Sequence, residues 1–408
     1  MYMTGRHWLS ATLLLFHVTV WADNQAAVDY LSLAQGAVPV TIGEQAMDLR
    51  VGLDRALQIV DGDHRGFGLT PKPGDELTEL VFIYRLPALT RFTRFAIPNV
   101  LETPSPSQTF IRQVKIEGAT DSVDGPYSDL AGLTLTQHTS KSQLSVTDTV
   151  NNMAVTWVRI TLSGGLDIQR DSTFFEFSEL LGYGTQDEVP LANGFDGQWK
   201  GRGLALALTQ DGAVVSGCYE RDGALRGTVS GNVLRATGET LAGIGSVFVL
   251  TLTADGGILG VRSTNGAPFR LYSGSPVNDA GTRCEEPAQP VLGCDAIIHG
   301  INFDFDSAVI RRDSQPLLNS LAAALEQEEA PQITVIGHTS SEGNDAYNMQ
   351  LSQRRADAVV AALIEHGLAA DRLAAAGKGE QQPIADNATE AGRSLNRRVE
   401  IGCETVPE

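Results

Sequence analysis

Near residue 294 the spacing of apolar residues in this 408-residue chain changes period, from short strand-like runs to strands alternating with helical stripes. That switch rules out a single all-helical bundle or one uniform sheet. Length agrees, since a chain this long exceeds one ordinary core and is expected to hold two or three domains. The first residues carry a short basic start (Arg6, His7), an apolar run from Trp8 to Val20, and Val20-Trp21-Ala22 before Asp23. This is the pattern of a secretory signal peptide over 1–22, because the run is shorter than the roughly 20 apolar residues of a spanning helix. The formal net charge of −19 argues against a nucleic-acid or anionic-membrane partner, so any anion site must be local.

Residues 23–188 read as β-rich. Leu80–Leu86, Phe110–Ile116, Val155–Leu162 and Phe174–Gly184 are strand-like runs, separated by turn clusters at Thr70–Asp75 and Thr103–Gln108. A β-sandwich is the expected class. The Asp61-Gly62-Asp63 turn, the Val114–Gly118 strand, the Trp157–Leu162 strand with Arg159, and the closing Glu179-Leu180 resemble the discoidin or galactose-binding-like jelly roll. That resemblance implies binding of sugars or other surface ligands, in some members with calcium. Asp61 and Asp63 offer oxygen ligands to a hard cation, but an Asp-Gly-Asp run more simply makes a tight turn, and no metal site is assigned.

From 190 to 285 short strands, Leu204–Leu208, Val214–Tyr219, Leu225–Val229, Val247–Leu252 and Ile258–Val261, alternate with glycine turns such as Gln210-Asp211-Gly212 and Arg221-Asp222-Gly223, predicting a small antiparallel meander or barrel. Residues 286–293 read as a linker. Export makes the four cysteines legible as disulfides, and three pairings are open to Cys218, Cys284, Cys294 and Cys403. If domains fold as units, Cys218 pairs with Cys284 and Cys294 with Cys403. The spacing fits no zinc motif.

Over 294–408 the chain predicts an α/β sandwich with a mixed sheet: a strand at Ile297–Phe305, a helix at Ser314–Glu326, a strand at Ile333–Ile336 and an amphipathic helix at Asn348–Glu365. On that helix Leu351, Arg355, Ala358, Val359 and Ala362 share a stripe, so Arg355 faces inward and Arg354 does not. An inward guanidinium needs a partner, and its fork suits a carboxylate.

Gly337-His338-Thr339, Tyr347-Asn348, Leu351-Ser352, Arg355-Ala356, Gly377-Lys378-Gly379, Pro383, Asn387, Gly392-Arg393 and Asn396-Arg397-Arg398-Val399 follow the order and spacing of the OmpA-like carboxy-terminal domain, and the segment is identified as a member of that family. The resemblance implies non-covalent binding of peptidoglycan through the diaminopimelate of its stem peptide. Arg355 would grip a carboxylate, and an acid just after Gly-His-Thr would grip the ammonium. Here that position, next to Thr339, is Ser340, which accepts a hydrogen bond but cannot neutralise a charge. Three outcomes stay open: Glu342 replaces the acid, binding persists but weakens, or the domain is a retained scaffold.

For Asn348 the alternatives are loop ordering and a helix cap; for Arg398, a ligand contact and a surface ion pair. His338 is expected to be a structural hydrogen-bonder rather than a base. No nucleophile elbow, phosphate loop or clustered ligands appear, so no enzyme activity and no cofactor are expected. The expected protein is an exported Gram-negative envelope component, in the periplasm or on the periplasmic face of the outer membrane. Peptidoglycan is its partner, with a glycan or outer-membrane protein as a further partner of the β domains. An outer-membrane porin-type barrel and an exported carbohydrate-binding protein with a degenerate last domain are the alternatives.

Overall fold

A computed structural model of the chain describes residues 28–40, 53–62, 66–70, 77–98, 111–136, 144–167, 171–284, 292–303, 308–328, 330, 332–388 and 390–403. The signal-peptide segment, Asp63, the Thr103–Gln108 turn and most of the 286–293 linker lie outside these residues.

The amino-terminal part is built on a seven-stranded antiparallel sheet. Its strands are β1 (Val38–Pro39), β3 (Glu79–Pro98), β4 (Gln113–Ala119), β5 (Ser128–Thr134), β6 (Leu144–Asp148), β7 (Val155–Ser163) and β11 (Leu181–Gln186). The main path runs β1-β3-β7-β4-β5, while β6 and β11 both pair with the far half of the 20-residue β3. Small pairs of β2 (Phe67–Leu69) with β10 (Phe175–Phe177) and β8 (Leu166–Asp167) with β9 (Ser172–Thr173) complete it. Alternation places Leu80, Phe82, Tyr84 and Leu86 inward on β3, where Phe67 of β2 meets Phe82 edge-on at 6.4 Å. Helix α1 (Leu53–Gln58) is pinned by Tyr84 Oη donating to Ala56 O at 2.6 Å. Two separated sequence signals meet here, for Gly62 N donates to Glu179 Oε1 at 2.5 Å. Arg159 forks onto buried Glu117 with two 2.8 Å bonds, and those bonds hold the Glu117 carboxyl below the usual range.

Eight strands then close a barrel: β12 (Gly197–Gly201), β13 (Leu204–Asp211), β14 (Val214–Tyr219), β15 (Gly223–Ser230), β16 (Val233–Glu239), β17 (Gly245–Leu252), β18 (Ile258–Thr264) and β19 (Arg270–Pro276). Each pairs antiparallel with the next, and Trp199↔Pro276 closes the ring. The sequence reading missed β12, β16 and β19, whose glycines and polar residues blur the alternation. Inside, Leu206, Val215, Leu225, Leu234, Phe248 and Leu250 form a packed core. One end is filled by the buried Arg262, which pairs with Glu220 and sits over Tyr219 at 4.9 Å and Phe248 at 5.3 Å. Outward-facing Val233, Val249 and Val261 belong instead to the core of the amino-terminal sheet, so barrel and sheet share a hydrophobic interface.

The last part carries a four-stranded sheet ordered β20 (Ile297–Ile298), β23 (Val399–Cys403), β21 (Ile333–Gly337), β22 (Leu373–Gly377), in which β21 and β22 run parallel. Helices α2 (Gln315–Glu326) and α3 (Asp345–Glu365) flank it, and α4 (Glu390–Asn396) precedes β23. The strand expected over Ile297–Phe305 stops at Ile298, because Gly300 turns in the left-handed region (φ +94°) and the His299 carbonyl accepts from Thr228 of the barrel. Leu292, read as linker, already packs on this core. Disulfides join Cys218 to Cys284 and Cys294 to Cys403.

Candidate functional site

The sheet ends at Gly337 and Gly377 lie directly beneath α3. A Cβ on Gly337 would meet Ser352 O at 2.4 Å, and one on Gly377 would meet Gln353 N at 2.4 Å. Glycine at both positions lets the helix lie flat across the strand ends. Ser352 Oγ then accepts from Gly379 N at 2.8 Å, and Gln353 Oε1 from Gly377 N at 2.8 Å. The helix cap is Asn344, whose side chain accepts from Tyr347 N at 2.9 Å. Asn348 is therefore no cap; it is buried one turn on and donates to Ser340 O at 3.3 Å and to Glu380. It ties the 338–343 loop to the 378–380 turn.

The buried face of α3 is Asn348, Leu351, Ser352, Ala356, Val359 and Leu363. Arg355 stands on its flank, half-buried and over the Phe303 ring at 4.9 Å, while Arg354 is exposed. The stripe drawn from sequence was rotated by about one position, because the small Ser352 and Ala356 take the closest approach and leave the longer side chains at the edge.

The predicted site residues fall into two groups. In the loop, Ser340 Oγ donates to Glu342 Oε2 at 3.1 Å, and Arg397 Nη1 donates to the same carboxylate at 3.3 Å. A carboxylate thus stands beside Ser340, though it is already paired with a guanidinium. Thr339 is buried next to them and its amide donates to Gly379 O at 2.9 Å. The second group is Arg355 and Arg398, which with His338 line a cavity of about 170 Å³ that Ser340, Glu342 and Asn348 do not line. Arg398 is no surface pair: its side chain is 2% exposed, Nη2 lies 2.6 Å from Glu400 Oε1, and it also donates to Asn396 O and Gln382 O.

His338 departs from its expected role. Its ring is buried, Nδ1 has no hydrogen-bond partner among the described residues, and Nε2 is 3.5 Å from Glu400 Oε2 in poor geometry. Burial first, and Arg398 second, depress its pKa against the pull of Glu400, so it is neutral at pH 7. His299, absent from the sequence reading, also lines the cavity, and burial with Arg398 and Arg235 lowers it to about 4. No local signal marks His299, because its surroundings come from β16 and β23.

Between its ordinary value near 6.5 and about 4, the unfolded chain holds a proton on His299 that the folded chain lacks. Stability is therefore expected to fall as pH drops through that window and to level off below it, by about 2 kcal/mol after discounting the ring's partial exposure. Urea titrations at pH 7 and 4 check this: His299→Gln should lose less stability than the wild type over that interval. Equal losses would remove His299 as the cause.

Among the described residues no group of three or more His, Cys, Asp or Glu side chains is placed to hold a metal ion, and no helix is long and apolar enough to cross a membrane.

Residues 302–397 match the OmpA family. The chain is 50% identical over 104 residues to outer membrane porin F of Pseudomonas fluorescens, a match covering 26% of this chain and 32% of that protein. To the peptidoglycan-binding protein ArfA of Mycobacterium tuberculosis it is 39% identical over 101 residues, covering 25% of this chain and 31% of that protein. It spans about a third of the length of both relatives. Among solved structures, the peptidoglycan-associated lipoprotein from Burkholderia pseudomallei is 33% identical, covering 26% of this chain and 88% of that one, with a TM-score of 0.24.

Proposed function

From the membership of residues 302–397 in the OmpA family, we propose that this protein is an exported, non-catalytic envelope component whose last domain binds peptidoglycan. The carrying observation is that family match, joined to the presence of Arg355 in the lining of a cavity in an otherwise acidic chain. Arg355 takes a carboxylate of the stem peptide. Ser340 with Glu342 takes the ammonium more weakly than a free acid would, because Arg397 already shares the Glu342 charge. Relatives named as outer-membrane and peptidoglycan-binding proteins support the wall as ligand and the periplasmic face of the outer membrane as location.

The barrel favours this reading over a membrane pore. Its strands are five to eight residues long and its interior is apolar and filled, whereas a spanning strand needs about nine to eleven residues with the apolar side outward. The amino-terminal sheet, with β2 and β10 across it, serves as a discoidin-like sandwich for an envelope partner or glycan, a reading supported by the Gly62–Glu179 contact.

Retention of the full chain on purified sacculi tests the assignment. Arg355→Ala is expected to weaken it about ten-fold or more, the worth of one charge-assisted contact. Wild-type protein that stays in the supernatant would overturn the wall assignment.

A further inference from the structure

The cavity beside Arg355 is not bounded by the last domain alone. Strand β16 of the barrel contributes Arg235, and the amino-terminal part contributes Tyr30 and Ala34. Among the described residues five guanidinium groups line it, those of Arg235, Arg311, Arg355, Arg397 and Arg398, against the carboxylates of Asp187 and Asp313. Those two acids are engaged: Asp187 pairs with Arg91 at 2.7 Å and Asp313 with Arg311 at 3.3 Å. Arg398 is matched by Glu400, and Arg397 leans to Glu342. Among the described residues Arg235 has no such carboxylate. Among the described residues its one hydrogen bond runs from Nη2 to Ala34 O at 3.1 Å, which uses one of five donors.

The half-buried Arg235 is crowded by like charge. Burial, then Arg397 and Arg311, lower its pKa to about 10 against the pull of Asp313. A group in that position is stabilised by an anion and not by water alone. The histidines point the same way. His338, 4% exposed, and His299 both line the cavity, and each has a ring Nδ1 with no hydrogen-bond partner among the described residues. A neutral imidazole supplies such a site with a donor. Buried polar groups left without partners in a cavity large enough for a small organic ion mark a place where a ligand completes the hydrogen bonding.

We propose that the junction cavity is a binding site for a ligand bearing two carboxylates, one held by Arg355 from α3 and the other by Arg235 from the barrel. This rests on the wall-binding reading only for the source of the ligand. A planar carboxylate matches the guanidinium fork, and two forks carried by separate elements, β16 and α3, select for length as well as charge. An ammonium entering beside Arg235, Arg311 and Arg397 meets like charge, so the Arg235 end of the site takes a carboxylate that has no ammonium next to it. The barrel is then part of the recognition surface, and the dicarboxylate comes either from wall stem peptide or from a free small molecule.

Calorimetric titration of the full chain with pimelate and with heptanoate, equal in length but with two carboxylates and one, tests the assignment. Pimelate is expected to bind about ten-fold or more tighter, Arg235→Gln to abolish that advantage, and Arg235→Lys to keep most of it. Arg226→Gln, on an exposed barrel position, should leave it unchanged. Equal affinity for the two acids, no pimelate binding, or a well-folded Arg235→Gln that keeps the preference would each overturn the proposal. Sacculi retention of the same variants separates the two readings. Retention lost in Arg355→Ala with no pimelate preference leaves the wall assignment standing and this one fallen. Arg235-dependent pimelate binding without sacculi retention supports the site, assigns it a free dicarboxylate, and removes the wall assignment.

Discussion

Replacing Arg398 by leucine is expected to destabilise the last domain by about 2–3 kcal/mol, less than for a fully buried pair because the Glu400 side chain is 28% exposed and keeps some water. The guanidinium is 2% exposed, and its loss strands the Glu400 carboxylate and leaves the Asn396 and Gln382 carbonyls without their donor. Much of that range is the penalty on the groups left behind, so replacing Glu400 by leucine as well should restore a large part of it. Hydrogen exchange of the β21 and β23 amides reads the effect locally, which matters because a chain with several packed parts need not unfold in one step. A loss below about 1 kcal/mol in Arg398→Leu would mean that water reaches the pair.

Breaking the Cys294–Cys403 bond by a double serine substitution is expected to cost the same domain about 3–5 kcal/mol. The bond closes a loop spanning 109 positions, and in the chain-entropy account a loop of that length withdraws about that much freedom from the unfolded state. It also anchors the end of β23, where Cys403 sits opposite Ile333 of β21. The Cys218–Cys284 bond spans 66 positions, so its removal should cost only slightly less, since the entropy rises with the logarithm of loop length. Exchange protection of β21 is the measurement. Protection unchanged in the double serine variant would show that packing alone holds the strand.

These effects fall on the stretch most legible in sequence. The 3.6-residue period of 348–365 announced a helix, and the Gly337, Gly377 and Asn396-Arg397-Arg398 motifs announced the family, because each reports a local requirement of the backbone; that the two glycines admit α3 so closely is visible only in the structure. Asn396 illustrates it: its amide accepts from Ile384 N and Ala385 N and donates to Asn387 Oδ1, within a dozen residues. The barrel was partly legible. Its five recognised strands carry apolar runs, while β16 mixes Arg235, Thr237, Gly238 and Glu239 into its run, and its outward Val233 and Arg235 meet other parts of the protein instead of water.

Sequence by itself determined the β-then-α/β order of the chain and the OmpA-like character of its last stretch, which residues 302–397 match, and it nominated Arg355 as a carboxylate ligand, because all three rest on spacing and residue type. Only the tertiary structure decided that Arg398 is buried beside Glu400, that Ser340 pairs with Glu342, and that Arg235 and His299 line the same cavity as Arg355. Burial and charge depend on distances between residues far apart in the chain. Arg235 and Arg355 lie on different secondary elements, and no local period carries the information that they face the same space.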